Sequence, residues 1–344
     1  MPINYFNMGK VKSTIEFSWP LIGNTAAIDF LTKSLMNRRL AQTYIFAGPE
    51  HLGKNTIAYC FAKNLLLLDE NRQENLADLD ESKMSLSGDF HVVQREPGKK
   101  NISIEQIRDL IKILEMSSFA NSYKIGIIKE AETISEQGMN ALLKILEEPR
   151  SQVVIILITA HLEAILKTIV SRSQVVNFYP VRTEIIHDHL VDYYKLNPAL
   201  AKNLSRLALG RPPLAIKFLE DKEFYQNYLA AVNFFLTILE NQIPDRFKLI
   251  AKWIMAHKGE SDLSLLAGDL ISVWEAVGRD LLLISSGSQN LLQHEVAKDA
   301  LLKVKNNYEA GDWLRVLKLL KLSRNYLSAN VNYKNVLENI AINI

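Results

Sequence analysis

The run from Val153 to Thr159, Val-Val-Ile-Ile-Leu-Ile-Thr, is the feature that most constrains how this chain folds. It is apolar at six consecutive positions, but it is far shorter than the roughly 20 residues that a membrane span needs. A continuous apolar run of this length is typical of a strand buried on both faces in a parallel sheet. The sequence therefore predicts an α/β fold built around this strand.

Strand-like and helix-like patterns alternate through the first half of the chain. Apolar residues recur at helical spacing between short β-rich runs, as in Ile104, Ile107, Leu110 and Leu114. Strands separated by helical crossovers favour a parallel sheet with helices on both faces. The other predicted strands are Thr43–Phe46, Phe90–Val93, Lys124–Ile128 and Gln174–Phe178.

Two helix starts in this half carry a capping signal. Ser103 with Gln106, and Thr133 with Glu136, have the spacing of a capping box, in which each side chain bonds the other's backbone N–H. We therefore predict helices that begin after Ser103 and after Thr133, the second ending at Pro149.

Strand signals disappear after Pro180, and long amphipathic helices follow. At about 150 residues a domain, 344 residues suggest two or three domains. We predict an α/β domain over 1–180, a small helical domain over 181–221 and a larger helical domain over 222–344. The polar stretch from Asp69 to Gly88 has no clear period and is predicted to be a loop.

Composition excludes several classes of protein. Forty Lys and Arg residues against thirty-eight Asp and Glu give a net charge of +2, which argues against a protein that coats nucleic acid or binds membranes through a polybasic surface. The single cysteine, Cys60, excludes an internal disulfide framework and a multi-cysteine zinc site. Met1 to Lys12 lacks a signal-peptide pattern, so we expect a soluble intracellular protein.

The segment Gly48-Pro-Glu-His-Leu-Gly53-Lys54-Asn55 follows a predicted strand and opens a predicted helix. In that context a G-x-x-x-x-G-K-[ST] loop holds phosphates with backbone N–H groups and a lysine. The candidate nucleotide-binding residues are Gly48, Gly53 and Lys54. The alternative is a glycine-rich turn that only starts a helix, and the residues leave nucleotide binding open.

Two positions depart from a working nucleotide site. Asn55 stands where the pattern needs a hydroxyl to coordinate Mg²⁺. Lys129 follows the Lys124–Ile128 strand, where P-loop ATPases place an aspartate that holds the same ion. Both changes affect one ion, so we predict that this site does not hydrolyse nucleotide.

No metal site is predicted. His187 and His189 flank Asp188, but alternate residues of a helix point in different directions and no further ligands lie nearby in the sequence. We expect a solvated helix face there.

An ordered series of motifs resembles the clamp-loader branch of the AAA+ superfamily and, within it, the family of delta-prime subunits of bacterial DNA polymerase III. The series comprises 102–110, 124–132, Asn140-Ala-Leu-Leu-Lys-Ile-Leu-Glu-Glu-Pro149 and Ser171-Arg172-Ser173. A weaker similarity continues through Trp274 and Arg279-Asp280-Leu281.

The resemblance implies an AAA+ domain, a helical lid and a helical collar in a cytoplasmic pentameric ring with gamma/tau and delta subunits. Such a ring uses ATP to open the sliding clamp and place it on primed DNA. Members of this family often have a defective ATP site and act as a rigid stator, as Asn55 and Lys129 suggest here. The resemblance also assigns Arg172 as an arginine finger that acts in trans.

Some positions depart from the family pattern. The region 64–88 lacks the family's four zinc-binding cysteines, so no zinc is expected; Ser173 replaces a cysteine; and Arg211 does not align well enough to be assigned a nucleotide contact. No cofactor is required on this interpretation, although weak ATP or ADP binding stays open. The alternatives are an active ATPase of gamma/tau type and a module that holds nucleotide without turnover.

Overall fold

A computed structural model describes residues 17, 19, 22–67, 84, 88–96, 98–116, 123–148, 152–260, 262–306 and 308–344. The chain divides into two compact units. The α/β unit comprises the described residues up to His189 together with Gly210–Pro213, and the helical unit comprises Leu190–Leu209 and Leu214–Ile344. The predicted division at 180 and 221 stays a prediction. Most of the predicted loop over Asp69–Gly88, and Pro149, lie outside the described residues.

The described strands of the α/β unit form one parallel sheet in the order β2-β3-β4-β1-β5. The prediction of a parallel α/β sheet is therefore confirmed. All seven residues of the 153–159 strand are buried, as its apolar run requires. The strands are β1 Thr43–Ala47, β2 Phe90–Val93, β3 Lys124–Ile128, β4 Val153–Thr159 and β5 Gln174–Asn177.

Helices cover both faces of this sheet. Because side chains alternate along a strand, Val154 and Ile156 of β4 pack with the first two helices, whereas Val153 and Ile155 pack with the third and fourth. The helices of this unit are α1 Thr25–Met36, α2 Lys54–Leu67, α3 Ile104–Glu115, α4 Glu136–Glu147, α5 Lys167–Val170 and α6 Thr183–Asp192.

The two predicted helix caps had different outcomes. Ser103 and Gln106 form the predicted capping box at the start of α3. The prediction for Thr133 was wrong, because a 3₁₀ turn over Ala131–Thr133 uses the Thr133 hydroxyl, which donates to the Glu130 carbonyl. Ser135 caps α4 instead, and its Oγ accepts the N–H of Gly138 at 3.2 Å.

The helical unit has its own hydrophobic core, which includes the fully buried Trp274 and Trp313. None of the described helices combines the length and apolar composition that a membrane crossing requires. The further helices are α7 Pro198–Leu207, α8 Pro212–Glu220, α9 Lys222–Glu240, α10 Ile243–Ala256, α11 Leu263–Ser285, α12 Lys298–Lys305, α13 Ala310–Ser328 and α14 Tyr333–Asn343.

A buried carboxylate, Asp280, organises the polar interior of the helical unit. Its oxygens accept the backbone N–H of Gln293 at 2.9 Å and of His294 at 2.7 Å, and they also accept Nδ1–H of His294 at 2.9 Å. Nε2 of His294 lies 2.8 Å from the Tyr228 hydroxyl, which joins Tyr228 to this network. The amide of Gln293 donates to the Leu207 carbonyl, which attaches α7 to this network.

We predict that Asp280→Ala strongly destabilises the helical unit. The substitution leaves three buried N–H groups without an acceptor, and each such group costs about 1–3 kcal/mol. Urea unfolding followed by circular dichroism should show a fall of about 3 kcal/mol or more in the free energy of unfolding. Asp299→Ala, at an exposed position in the same unit, is the matched control and should change stability by less than about 0.5 kcal/mol. Equal stability of the two variants would contradict the role given to Asp280.

Candidate nucleotide loop and arginine turn

The predicted phosphate loop follows β1 directly at the carboxyl end of the sheet. Gly48 has φ 145° and Gly53 has φ 83°, conformations that suit glycine. The N–H of Gly48 donates to the Thr159 carbonyl at the end of β4. A Cβ on Gly48 would lie 2.3 Å from the Phe178 carbonyl oxygen, so only glycine fits between the neighbouring chain segments.

Lys54 is the first residue of α2, and its side chain turns back onto the loop. Its Nζ donates to the carbonyl oxygens of Gly48 at 2.5 Å and Pro49 at 2.6 Å. Only 7% of the residue is exposed. The ammonium therefore bonds the loop's own backbone at the place where a phosphate-binding lysine would bond its ligand.

The charges around Lys54 have mixed signs. Burial lowers the pKa of the Lys54 ammonium, Glu50 and Glu132 act in the opposite direction, and Arg211 adds to the lowering. The site therefore brings two cations and two carboxylates together at this end of the α/β unit. An anion that entered it would meet the two carboxylates as well as the cations.

The two positions that supply Mg²⁺ ligands in the P-loop pattern carry other side chains here. Asn55 is exposed at the position of the missing hydroxyl and offers an amide instead. Lys129 follows β3, and its ammonium lies 5.2 Å from the centre of the Tyr59 ring, a cation–π contact. A hard divalent cation prefers carboxylate oxygens, and neither position supplies a carboxylate.

Arg211 and Glu132 are two of the charged residues at this site that were not assigned from the sequence. Arg211 lies close enough to affect the Lys54 pKa, and only the fold brings it there from 157 positions further along the chain. Oε1 of Glu132 accepts the N–H of Ala160, while Oε2 is buried without a hydrogen-bond partner among the described residues. In the sequence, the position of Glu132 just beyond β3 was the one indication that it lies at this site.

Arg172 lies in the turn between α5 and β5. One Nη donates to the Thr168 carbonyl at 3.2 Å, and the other lies 3.2 Å from Oε1 of Glu147, the last residue of α4. The Arg172 side chain is 41% exposed and that of Glu147 is 53% exposed. Exposed ion pairs of this kind contribute about 0–1 kcal/mol, so the guanidinium can exchange this partner for another anion at little cost.

The predicted site residues fall at opposite ends of the sheet. Gly48, Gly53 and Lys54 lie after β1, whereas Arg172 precedes β5, which runs parallel to β1. The fold therefore separates Arg172 from the chain's own loop.

One of the two histidines on α6 contacts the aspartate that follows it in the sequence. Nδ1 of His187 lies 3.0 Å from the Asp188 carboxylate. In the part of the chain that the structure describes, no three His, Cys, Asp or Glu side chains are grouped to hold a metal.

Comparisons with known proteins show what this chain resembles. The family model described as "DNA polymerase III, delta subunit" matches residues 23–182. DNA polymerase III subunit delta' of Bacillus subtilis is 23% identical over 315 residues, which cover 91% of this chain and 93% of the relative. The chain is therefore similar, along most of its length, to a delta-prime subunit of DNA polymerase III.

Other DNA polymerase III proteins are similar to part of this sequence or to its fold. DNA polymerase III subunit tau of Bacillus subtilis is 29% identical over 166 residues, but the match covers 48% of this chain and only 30% of tau. A crystal structure of a DNA polymerase III gamma subunit-related protein from Thermotoga maritima aligns with a TM-score of 0.50 at 18% identity, covering 91% of this chain and 97% of that one. This structural likeness supports the fold, an α/β unit and a helical unit.

We predict that Gly48→Ala destabilises the α/β unit. The variant combines an unfavourable φ with the close approach of the Phe178 carbonyl, and backbone strain alone costs about 1–3 kcal/mol. Gly98→Ala is the matched control, because Gly98 also has a positive φ, of 75°, but an added Cβ there meets no atom within 4 Å. Urea unfolding should show the larger loss for Gly48→Ala. A loss no greater than that of Gly98→Ala would show that the loop adjusts to a side chain.

Proposed function

We propose that this chain is a non-hydrolysing stator subunit of the DNA polymerase III clamp loader and that it supplies Arg172 to a nucleotide bound by a neighbouring subunit. Its partners would be gamma/tau and delta subunits, and it would act on the sliding clamp and primed DNA through the complex, in the cytoplasm and without a membrane. The single observation that carries the proposal is that Asn55 and Lys129 stand at the two positions where the loop pattern needs Mg²⁺ ligands.

The non-hydrolysing role follows from the chemistry of that loop. Hydrolysis of a nucleoside triphosphate depends on a metal that bridges the phosphates and neutralises their developing charge. Asn55 and Lys129 supply neither the hydroxyl nor the carboxylate for that metal, and Lys54 bonds its own backbone. We therefore propose that no cofactor is required and that any ATP or ADP binds weakly.

The role of Arg172 follows from its place in the fold. It lies at the end of the sheet opposite to this chain's loop, so a phosphate that it contacts must come from another molecule. A guanidinium presents a planar set of donors that suits the charge developing on a transferred phosphoryl group. The exposed contact with Glu147 leaves it available for that ligand.

The helical unit supports the proposed assembly role. It has a hydrophobic core of its own and still exposes large apolar side chains, including Leu314, Leu322 and Tyr326 on α13. We propose that the residues from 222 onwards form the collar that joins the ring.

The isolated chain is expected to show no measurable ATP hydrolysis. Phosphate release should remain at background with Mg²⁺ present, because the metal ligands are missing. Lys54→Ala is the control for contaminating activity, since it removes the loop lysine. Steady phosphate release by the wild-type chain that is lost in Lys54→Ala would favour the alternative of an active ATPase.

Arg172→Ala should leave the ring assembled but lower its clamp- and DNA-stimulated ATPase activity. An arginine finger contributes about 10³–10⁵-fold to turnover at the site that it contacts. The ATPase activity of the ring should therefore fall by the share that comes from the one site that Arg172 contacts. Assembly is measured by size-exclusion chromatography, and activity by phosphate release and clamp loading. Arg172→Lys should restore little, because an ammonium lacks the planar donor geometry.

Arg182→Ala is the matched control for Arg172→Ala, because it removes an exposed arginine from the same unit. It should leave both assembly and stimulated activity unchanged. Normal stimulated ATPase activity and clamp loading in an assembled Arg172→Ala complex would rule out the finger.

A further inference from the structure

A cavity lies at the amino end of the sheet, away from the phosphate loop. Its volume is about 280 Å³, slightly below the roughly 300–1,000 Å³ of pockets that enclose drug-sized ligands. One wall is a stripe of α1, because Phe30, Lys33, Ser34 and Asn37 follow helical spacing. The opposite wall comes from the start of β1 and β5, where Tyr44 and Gln174 are paired in the sheet.

The floor of this cavity, which we call the α1 pocket, is already hydrogen-bonded. Tyr44 is fully buried, and its hydroxyl accepts the N–H of Ala41 at 3.0 Å. Ser34 is 8% exposed, and its hydroxyl donates to the Phe30 carbonyl at 2.9 Å. Ligand contacts must therefore come from the exposed side chains on the rim.

The rim of the α1 pocket consists of donors and one aromatic ring. Lys33 and Arg39 are exposed cations that form no ion pair with any residue that the structure describes. Asn37 and Gln174 add amide N–H groups, and no carboxylate belongs to the described residues that line the cavity. Such a set selects an anion, and phosphate is an anion that lysine and arginine donors bind through charge-assisted hydrogen bonds.

The pocket also meets the carboxyl end of α1, whose partial negative charge opposes an anion. The local backbone reduces this effect, because the N–H groups of Asn37, Arg38 and Arg39 bond the carbonyls of the last turn. The remaining dipole is equivalent to at most about half a charge, whereas Lys33 and Arg39 together carry two positive charges. Attraction of an anion therefore prevails.

Phe30 gives the ligand a second chemical feature. Its side chain is among the exposed large apolar groups, at 38%, and it lies one helical turn before Lys33 and Ser34. An exposed aromatic ring beside cations can stack on a nucleobase while the cations hold its phosphate. We propose that the α1 pocket binds one nucleotide unit, either free or within a nucleic acid strand, independently of the phosphate loop.

The test uses the full chain with two ligands, dTMP and a fluorescein-labelled ten-nucleotide oligothymidylate. Binding is measured by calorimetry for dTMP and by fluorescence anisotropy for the strand. Lys33→Ala/Arg39→Ala should raise the Kd about tenfold or more through the loss of charge-assisted hydrogen bonds. It should also reduce the slope of log K against log salt for the strand by about 0.7, the value for one lost phosphate contact on a single strand. Phe30→Leu should raise the Kd about fivefold or more.

A matched control separates this site from general charge effects. Lys252→Ala/Lys258→Ala removes two exposed cations of the helical unit and should leave the Kd unchanged. Tighter binding of the strand than of dTMP would assign the ligand to a strand, and equal binding would assign it to a free nucleotide. Failure of both ligands to bind, or equal losses in the two double variants, would overturn the proposal.

Discussion

Parallel pairing of β1 with β4 and β5 is the constraint on which the functional geometry depends. Because the three strands run in the same direction, the loop after β1 and the end of β4 meet at one edge, where the Gly48 N–H bonds the Thr159 carbonyl. The same pairing puts the turn that carries Arg172 at the other edge. The parallel strand pairing therefore shapes the loop and also places Arg172 at the opposite edge of the sheet.

In this chain the backbone of the phosphate-loop pattern is present, but the side chains that would hold a metal in that pattern are not. Glycines and close packing preserve the loop's backbone, whereas the side chains that would hold a metal are replaced by Asn55 and Lys129. Retention of the backbone is understandable, since Gly48 fits between β4 and the segment after β5 and also shapes the sheet edge. The proposed stator role requires only this backbone and not the metal chemistry.

Local sequence patterns predicted the elements, and long-range contacts decided the rest. The apolar run over Val153–Thr159 and the cap at Ser103 depend on neighbouring residues, and both were predicted correctly. Thr133 had the right spacing for a cap, but a 3₁₀ turn used its hydroxyl and Ser135 took the role. The approach of Arg211 to Lys54, and the ion pair of Arg172 with Glu147, join positions that no periodicity relates.

The hydrogen bonds from the Lys54 ammonium to its own loop hold the loop in a closed arrangement. Any anion must compete with these hydrogen bonds for the ammonium. An anion binds only the fraction of molecules in which the ammonium has left the carbonyls of Gly48 and Pro49, and its apparent affinity falls by that fraction. If the closed arrangement predominates by about 100 to 1, the apparent affinity is about 100-fold weaker than the intrinsic one. A loop that stays closed in this way would keep the unit in one shape, as the proposed stator role requires.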